Sequence, residues 1–371
     1  MKIVWISGSR IVGGAEHATL LLATELRGRG HVVEALLRGR SDLPVAVERA
    51  GFAVRRAAIG GSLNLLALPA VRRALAGPAD VALVTTVDEW VWACLAHSRR
   101  FRTRLVLVRH MALALPRIVT RLAARKADAV VAVSPASRDA LLATGDLRAE
   151  QIHTIGNPVR FPPRASLPSE EERRLARERR ELRGAGRWIG FFGGLGTAKG
   201  IDDLLRAVAR VGREVGETHL VVCGREGYGQ RRREVLARAG DLGIARRLHL
   251  LGEIDNVEEV MTAVDLVVLA TRSELAEALP LTLIEAMACG TPVLASATGG
   301  VADVIGHDGE CGMLVAPDAP GLLAEGIIDV FRDPFGTTAR ALRALDQVRK
   351  RFDPARVAEE YEALFRSIHA P

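Results

Sequence analysis

The sequence has few lysines, few aromatic residues and few cysteines, and each shortage narrows the range of functions. Of the 51 Lys and Arg residues only four are lysines, at positions 2, 126, 199 and 350. Aromatic residues make up 4% of the chain, so the arginines lack the interleaved rings typical of nucleic-acid-binding surfaces. The four cysteines lie far apart, at positions 94, 223, 289 and 311. We therefore expect reduced core cysteines, no disulfide or zinc framework and no nucleic-acid partner.

Long apolar runs are also missing, and charge is unevenly distributed. No run approaches the roughly 20 residues of a membrane-spanning helix, and the N-terminus enters a strand without a signal-peptide pattern, so we expect a cytoplasmic protein. Residues 1–160 hold 23 Lys and Arg against 12 Asp and Glu, whereas the remainder holds 28 against 32. A basic N-terminal half fits an anionic partner, such as a lipid-phosphate acceptor or the inner membrane face. The alternative is an arginine-rich, solvated surface.

The hydrophobic pattern predicts two α/β domains, as 371 residues allow. Val- and Leu-rich runs alternate with segments of helical periodicity, which is typical of parallel strands buried on both faces. The predicted strands are 3–6, 31–37, 80–85, 104–108 and 128–133 in the first half, and 188–192, 219–223, 248–251, 265–270 and 292–296 in the second. The prolines of Gly156-Asn-Pro158 and Phe161-Pro-Pro163 predict a stiff connector. The charged helix that begins at Ser169 and ends near Gly184 is expected to be solvated.

Two acids eight residues apart mark the most informative stretch, Glu277-Ala-Leu-Pro-Leu-Thr-Leu-Ile-Glu285-Ala-Met-Ala-Cys-Gly290. We expect Pro280 to be the first residue of a helix and Gly290 to end it. The helix follows a predicted strand, so its unpaired amides, those of residues 281–283, suit a phosphate. Carboxylates only accept hydrogen bonds, so the two acids suit sugar hydroxyls. The alternative is two solvated acids on a helix surface.

A glycine-rich loop, Gly193-Gly-Leu-Gly-Thr-Ala-Lys199-Gly200, follows the strand 188–192. It fits neither the dinucleotide-binding nor the P-loop fingerprint. Its glycines permit close approach of a diphosphate, and Lys199 offers a point charge for the departing oxygens. The alternative is a surface lysine on a loop.

The stretch from Glu277 to Glu285, with the following Ala-Met-Ala-Cys-Gly-Thr-Pro-Val, resembles the E-x7-E signature of retaining GT-B glycosyltransferases of family GT4. The resemblance extends over nearly the whole chain and implies two Rossmann-like, doubly wound domains that face a deep interdomain cleft. Residues 1–160, completed by a C-terminal helix in 353–371, would form the acceptor domain. Residues 161–352 would form the nucleotide-sugar donor domain.

The resemblance also implies roles for individual residues. Lys199, Glu277 and His110 are expected to be catalytic. The expected donor-binding residues are Gly14, Gly194, Lys199, Ile254, Leu281, Thr282, Glu285 and Gly299, and the expected acceptor-binding residues are Glu16 and Arg109. Gly194 departs from the family pattern, which usually has arginine there.

The implied activity is metal-independent transfer, with retention, of a hexosyl or N-acetylhexosaminyl group from a nucleotide diphosphate sugar to an acceptor hydroxyl. UDP is the expected nucleotide because it is common in the family. No Asp-x-Asp motif occurs, and we expect no metal and no other cofactor. A nucleotide-sugar epimerase of the same fold and a non-catalytic membrane-binding protein remain alternatives.

Overall fold

The computed structural model describes residues 1–61, 64–98, 100–162, 166–225 and 230–369. The chain divides into two compact units, Met1–Val159 with Arg351–Pro371, and Arg160–Lys350. Pro163 of the predicted connector and the last two residues of the predicted C-terminal segment lie outside the described residues.

The first unit is built on a parallel sheet. Its strands are β1 Lys2–Ser7, β2 Val32–Arg38, β3 Ala53–Ala57, β4 Val81–Val84, β5 Arg104–Arg109, β6 Ala129–Ala132 and β7 Ile152–Thr154. In the described part of the chain the sheet order is β3-β2-β1-β4-β5-β6-β7, and the pairings are parallel. Strands β4 and β6 are buried along their whole length, because helices cover both faces of such sheets.

The helices of the first unit connect these strands. They are α1 Gly14–Gly28, α2 Leu43–Arg49, α3 Ala67–Leu75, α4 Val87–Ala96, α5 Arg117–Lys126 and α6 Pro135–Leu142, with a 3-10 turn at Ala149–Gln151. Helix α6 is capped by Ser134, whose hydroxyl accepts a hydrogen bond from the backbone N–H of Ser137.

The second unit repeats this design with six parallel strands in its described residues. The strands are β8 Arg187–Phe192, β9 Thr218–Cys223, β10 Leu248–Gly252, β11 Leu266–Leu269, β12 Val293–Ser296 and β13 Met313–Val315. The sheet order is β10-β9-β8-β11-β12-β13. The helices are α7 Glu170–Arg179, α8 Ile201–Glu214, α9 Gln230–Asp241, α10 Val257–Ala263, α11 Leu281–Ala288, α12 Val301–Ile305, α13 Pro320–Arg332 and α14 Pro334–Phe352, with 3-10 turns at Thr197–Lys199 and Ala245–Arg247.

The last helix, α15 (Pro354–His369), belongs to the first unit. Its buried residues are Val357, Ala358, Tyr361, Leu364 and Phe365. Glu362 on the same helix accepts a hydrogen bond from Arg29 Nε at 3.2 Å, and His31 Nε2 lies 2.8 Å from the carboxylate. These contacts lower the pKa of Glu362 to about 2. Apolar packing and an ion-pair cluster therefore hold α15 on the unit that contains the N-terminus.

Helix α7 is largely solvated, as its charge predicts, because seven of its ten residues are exposed; its remaining face docks on α10. Ala176 on this helix is fully buried. Arg173 donates to the carbonyl oxygen of Val264 at 2.8 Å, and Arg177 donates to that of Ala263 at 3.1 Å. These carbonyls lie at the C-terminal end of α10, where backbone acceptors lack helical partners and attract cations. The arginines thus dock the helix, which ends at Arg179, before the predicted stop at Gly184.

The four cysteines, all among the described residues, are buried and form no disulfide bond. Among the described residues, no helix combines the length and the apolar character that crossing a membrane requires.

Candidate active site

In the second unit the strand order reverses between the neighbouring strands β8 and β11. The chain runs outward from β8 through β9 to β10, and outward on the other side from β11 through β12 to β13. Loops that leave the carboxyl ends of two such strands diverge and open a crevice, where α/β sheets of this kind bind ligands. Lys199 is in the loop after β8, and Glu277 is in the loop after β11.

These two predicted residues meet. Lys199 Nζ lies 2.7 Å from Glu277 Oε1, and the Thr271 hydroxyl donates to the same oxygen, also at 2.7 Å. The Lys199 side chain is 33% exposed and that of Glu277 is 13% exposed. The ammonium group is therefore held beside the acid while solvent still reaches it.

A left-handed glycine makes this approach feasible. Gly200, the residue after Lys199, has φ of 74° and directly precedes α8. A Cβ atom at this position would overlap the carbonyl oxygen of Ala270, which directly follows β11. The backbone N–H of Arg272 donates to the carbonyl of Ala198 at 2.9 Å. The two loops are thus packed backbone to backbone, and this contact brings the lysine to the acid.

The start of α11 differs from the prediction in two details. Pro280 precedes the helix, with a non-helical ψ of 87°, and is not its first residue. Its carbonyl already begins the helical ladder and accepts from the backbone N–H of Leu283 at 3.0 Å, so Leu283 does not offer a free amide. Within the described residues no acceptor is found for the amides of Leu281 and Thr282, and these two fit a phosphate group. The predicted stop at Gly290, with φ of 72°, is confirmed.

The predicted Gly299 packs against the backbone of Glu277. A Cβ atom on Gly299, which has φ of 52°, would overlap the Glu277 carbonyl oxygen. The backbone N–H of Gly300 donates to that same oxygen at 2.6 Å. The turn after β12 therefore fixes the backbone position of Glu277, from which its side chain extends.

Glu285, one turn into α11, is partly buried, and no hydrogen-bond partner for its carboxyl group is found in the described part of the chain. Burial, with a smaller contribution from Glu258, raises its pKa to about 7 from the ordinary 4.5. The sequence motif predicts that Glu285 is an ionised carboxylate that accepts hydrogen bonds. With a pKa of about 7 the group is only partly ionised near neutral pH.

This shift predicts a pH-dependent nucleotide affinity. If ribose hydroxyls donate to the Glu285 carboxylate, only the ionised form binds well, so affinity should rise by about tenfold between pH 6 and pH 8. Glu285→Gln should bind less tightly and lose this dependence, as measured by isothermal titration with UDP. Any dependence that stems from the ligand's own phosphates is common to both proteins. An equal pH profile for the two would refute the assignment.

The raised pKa has an opposite consequence for stability. The folded protein binds the Glu285 proton more tightly than the unfolded chain, so stability is greatest below pH 4.5 as far as this group is concerned. That contribution is lost as the pH rises from about 4.5 to about 7.

The loop that contains Ile254 and the glycine-rich loop that contains Gly194 are joined through Arg225, which follows β9. Its carbonyl oxygen accepts from the backbone N–H of Leu195, next to the predicted Gly194, at 3.2 Å. Its Nε donates to Glu253 Oε1 at 3.1 Å, next to the predicted Ile254. Three neighbouring strands thus present their loops at one edge of the sheet.

In the first unit, Gly14 is exposed and is the first residue of α1. Glu16 Oε2 accepts a hydrogen bond from the backbone N–H of Gly13 at 3.0 Å, which is one half of a capping box. Glu16 therefore has a structural role at the helix start, and its contact with an acceptor stays a prediction.

His110 directly follows β5, as predicted. Both of its ring nitrogens are buried and have no hydrogen-bond partner in the described part of the chain. Burial, together with the charge of Arg109, lowers the pKa of His110 to about 4, so the imidazole is neutral at physiological pH. Its contact with the donor hexose stays a prediction.

Arg109 does not present its guanidinium group to solvent. The residue is 5% exposed, and its Nη2 donates to the carbonyl oxygen of Leu113 at 2.7 Å. Burial lowers its pKa to about 10. The side chain thus stabilises its own loop, and its contact with an acceptor stays a prediction.

Glu89, which no sequence motif marks, lies in α4 where the strand order of the first unit reverses between β1 and β4. Glu89 is fully buried, and burial raises its pKa. Its Oε2 accepts from the backbone N–H of Gly8 at 3.1 Å and from the Thr86 hydroxyl, whereas its Oε1 has no partner in the described residues. The signal was present, because an acid four residues before the buried Ala93 lies on the apolar face of its helix.

No three His, Cys, Asp or Glu side chains converge closely enough to hold a metal ion within the described ranges. Metal independence stays a prediction.

Comparisons with known proteins agree with this geometry. The family model described as glycosyl transferases group 1 matches residues 172–349, and the model of glycosyltransferase family 4 matches residues 12–161. The N-acetyl-alpha-D-glucosaminyl L-malate synthase of Bacillus anthracis is 29% identical over 170 residues, which is 46% of this chain and 42% of that protein. The 2-deoxystreptamine glucosyltransferase of Streptomyces kanamyceticus is 31% identical over 58% of this chain and 54% of that protein. This chain thus spans about two fifths of the length of the curated relatives that it matches first.

The solved structures match over greater lengths. Anabaena HepE in complex with UDP superposes with a TM-score of 0.85 at 25% identity and covers 99% of this chain and 100% of its own. The sucrose-phosphate synthase of Thermosynechococcus elongatus has a TM-score of 0.80 at 20% identity, covers 99% of this chain and 98% of its own, and supports the fold alone. The two family models cover both units, and the switch-point loops carry the signature residues. The chain therefore belongs to the GT4-type glycosyltransferases of the GT-B fold.

Proposed function

We propose that this protein transfers a hexosyl or N-acetylhexosaminyl group from a nucleotide diphosphate sugar, in the first place a UDP-sugar, to an acceptor hydroxyl. The observation that carries the proposal is the 2.7 Å pair of Lys199 and Glu277 at the switch point of the second unit. The amides of Leu281 and Thr282 begin the helix that follows. The UDP and UDP-glucose complexes of HepE support the choice of nucleotide.

The charge of each residue determines its role in the proposed reaction. When the bond from the sugar to the diphosphate breaks, the departing diphosphate gains negative charge, which Lys199 and the two amides stabilise. A phosphate group competes with Glu277 for the ammonium group of Lys199, so donor binding frees the Glu277 carboxylate to accept from sugar hydroxyls. Glu285, in its ionised form, accepts from the ribose. His110, neutral and without a partner, is assigned to the hexose by family resemblance.

Retention of configuration is the family's route. The acceptor oxygen forms its bond on the face from which the diphosphate leaves, and the acceptor proton passes to a diphosphate oxygen. The lysine and the amides take the place of a metal ion in neutralising the leaving group. We therefore expect full activity in excess EDTA and a product with the anomeric configuration of the donor by proton NMR. Activity that returns only on addition of a divalent metal, or an inverted product, would contradict these assignments.

A thermal-shift screen of nucleotides and nucleotide sugars tests the proposed function. A ligand that binds only the native state at about 100 times its Kd adds about 2.7 kcal/mol to stability, so UDP and a UDP-sugar should raise Tm by several degrees. The uncharged nucleoside uridine should raise it less. The ligands that bind are then supplied with saccharide, lipid-linked and aminocyclitol acceptors, and transfer is measured. If no nucleotide raises Tm, the proposed function is wrong.

The same assays separate the alternatives. A nucleotide-sugar epimerase would convert the donor without any acceptor. A non-catalytic membrane-binding protein would bind anionic vesicles through its basic first unit and would leave the donor unchanged. The Lys199–Glu277 pair argues against the membrane-binding protein, which needs no cation and acid at the sheet's switch point. An epimerase would also bind a diphosphate there, so the acceptor-free assay separates it from the transferase.

A further inference from the structure

The donor site of the second unit has too little positive charge for a diphosphate. Lys199 is its one lysine, and its charge is balanced by Glu277 at 2.7 Å. The amides of Leu281 and Thr282 contribute only partial charges. A nucleotide diphosphate carries more than one negative charge, and a buried or half-buried anion needs full pairing. A second cation is therefore required at this edge of the sheet.

Two arginines near these loops are already committed to acids. Arg272, after β11, pairs with Asp203 at 3.1 Å and with Asp318 at 3.2 Å. Arg231 donates to the Leu195 carbonyl at 2.8 Å and also pairs with Asp202 and Glu234. Removing either guanidinium from its acids would leave those carboxylates without their partners, one of them nearly buried.

Arg225 is different, because its acidic partner is on the surface. Its Nε lies 3.1 Å from Glu253, and the two side chains are 45% and 63% exposed. Exposed pairs of this kind contribute little to stability, so a phosphate group can replace Glu253 at small cost. The arginine follows β9, between the loop with Lys199 and the loop with Ile254.

The backbone places Arg225 directly against the diphosphate loop. Its carbonyl oxygen accepts from the Leu195 N–H at 3.2 Å. It also lies 3.5 Å from the position that a Cβ atom on Gly194 would take, which is ordinary van der Waals contact. Position 194 therefore has room for a Cβ atom, and the backbone of Arg225 borders that position.

We propose that Arg225 is a donor-binding residue that supplies the second positive charge to the diphosphate, after exchanging Glu253 for a phosphate oxygen. This inference rests on the proposed function. Gly194 carries no positive charge, and the proposal assigns that charge to Arg225, which follows the neighbouring strand β9.

The test compares a nucleoside diphosphate with its nucleoside. Of UDP, GDP and ADP, the one that stabilises the wild-type protein most is titrated calorimetrically, together with the matching nucleoside. Arg225→Ala should weaken binding of the diphosphate by about 10- to 100-fold, as expected for the loss of a charge-assisted hydrogen bond, and should leave nucleoside binding within about twofold. Arg246→Ala, an exposed arginine in the 3-10 turn before β10, is the matched control and should change neither.

A charge swap makes the test specific. Because a Cβ atom at position 194 meets only ordinary van der Waals contact, the double variant Gly194→Arg with Arg225→Ala should recover most of the lost diphosphate affinity. Glu253→Ala should bind the diphosphate as tightly as the wild type or more tightly, because Glu253 no longer competes with the phosphate for Arg225.

The outcomes separate the two proposals. If the wild type binds none of the three diphosphates, the proposed function fails and this inference fails with it. If the wild type binds one of them and Arg225→Ala binds it equally well, only this inference fails. Equal losses for the diphosphate and the nucleoside would also overturn it, because the arginine would then act on the nucleoside or on the fold.

Discussion

Lys199→Ala is expected to lower the turnover of sugar transfer by about 100- to 1,000-fold, the usual effect of removing one group that stabilises developing negative charge. The ammonium group sits at the strand-order reversal of the second unit, 2.7 Å from Glu277, where the departing diphosphate would lie. Turnover is measured as release of the nucleotide at saturating donor and acceptor.

Two controls distinguish loss of the catalytic lysine from a general effect of removing a lysine or of unfolding. Lys350→Ala removes an exposed lysine whose partner is Asp346, one turn earlier in α14, and should leave turnover unchanged. An unchanged Tm for Lys199→Ala would show that the fold persists without the pair. Near-normal turnover in Lys199→Ala would remove the lysine from the mechanism.

Gly200→Ala is expected to have the largest effect on stability, a loss of about 3 kcal/mol or more. An alanine at φ of 74° is strained, and its Cβ atom would overlap the Ala270 carbonyl oxygen. For a unit of this size such a loss lowers Tm by about 6 to 12 °C. Because the overlap forces the loop of Lys199 away from the loop of Glu277, nucleotide binding should weaken as well. Thermal unfolding and nucleotide titration measure the two effects.

Gly243→Ala is the matched control. Gly243 has φ of 71°, almost the same backbone conformation, but a Cβ atom there would meet nothing within 4 Å. It should therefore show only the cost of the left-handed conformation, about 1 kcal/mol, and normal nucleotide binding. Equal losses in the two variants would mean that the contact with Ala270 is unimportant.

The sequence predicts the interior of both sheets and misses three of their four edge strands. The ten predicted strands are all present, with ends within one residue of those observed. The missed strands Ala53–Ala57, Ile152–Thr154 and Met313–Val315 each form an edge of a sheet. An edge strand is covered on fewer sides, so it needs no continuous apolar run. Ala53–Ala57 carries two exposed arginines, and hydrophobic patterning cannot detect it.

The same limit applies to the site. The motif spacing predicts that Lys199 and Glu277 share one crevice, because parallel strands present their carboxyl ends at one edge of a sheet. It does not predict that they form an ion pair, that Glu285 has a pKa of about 7, or that the Arg109 side chain turns to the Leu113 carbonyl. Those features depend on burial and on side-chain direction, which arise only when distant segments pack together.

Because α15 belongs to the first unit, that unit cannot finish folding until the end of the chain has been translated. The apolar surface that this helix covers, together with Arg29 and His31, is synthesised early, whereas Glu362 leaves the ribosome only after the whole segment Arg160–Lys350. At a synthesis rate of about 5 to 20 residues per second, that delay is roughly 10 to 40 s. The nascent first unit must remain soluble with an uncovered flank for this interval, so chaperone occupancy of stalled chains should concentrate there.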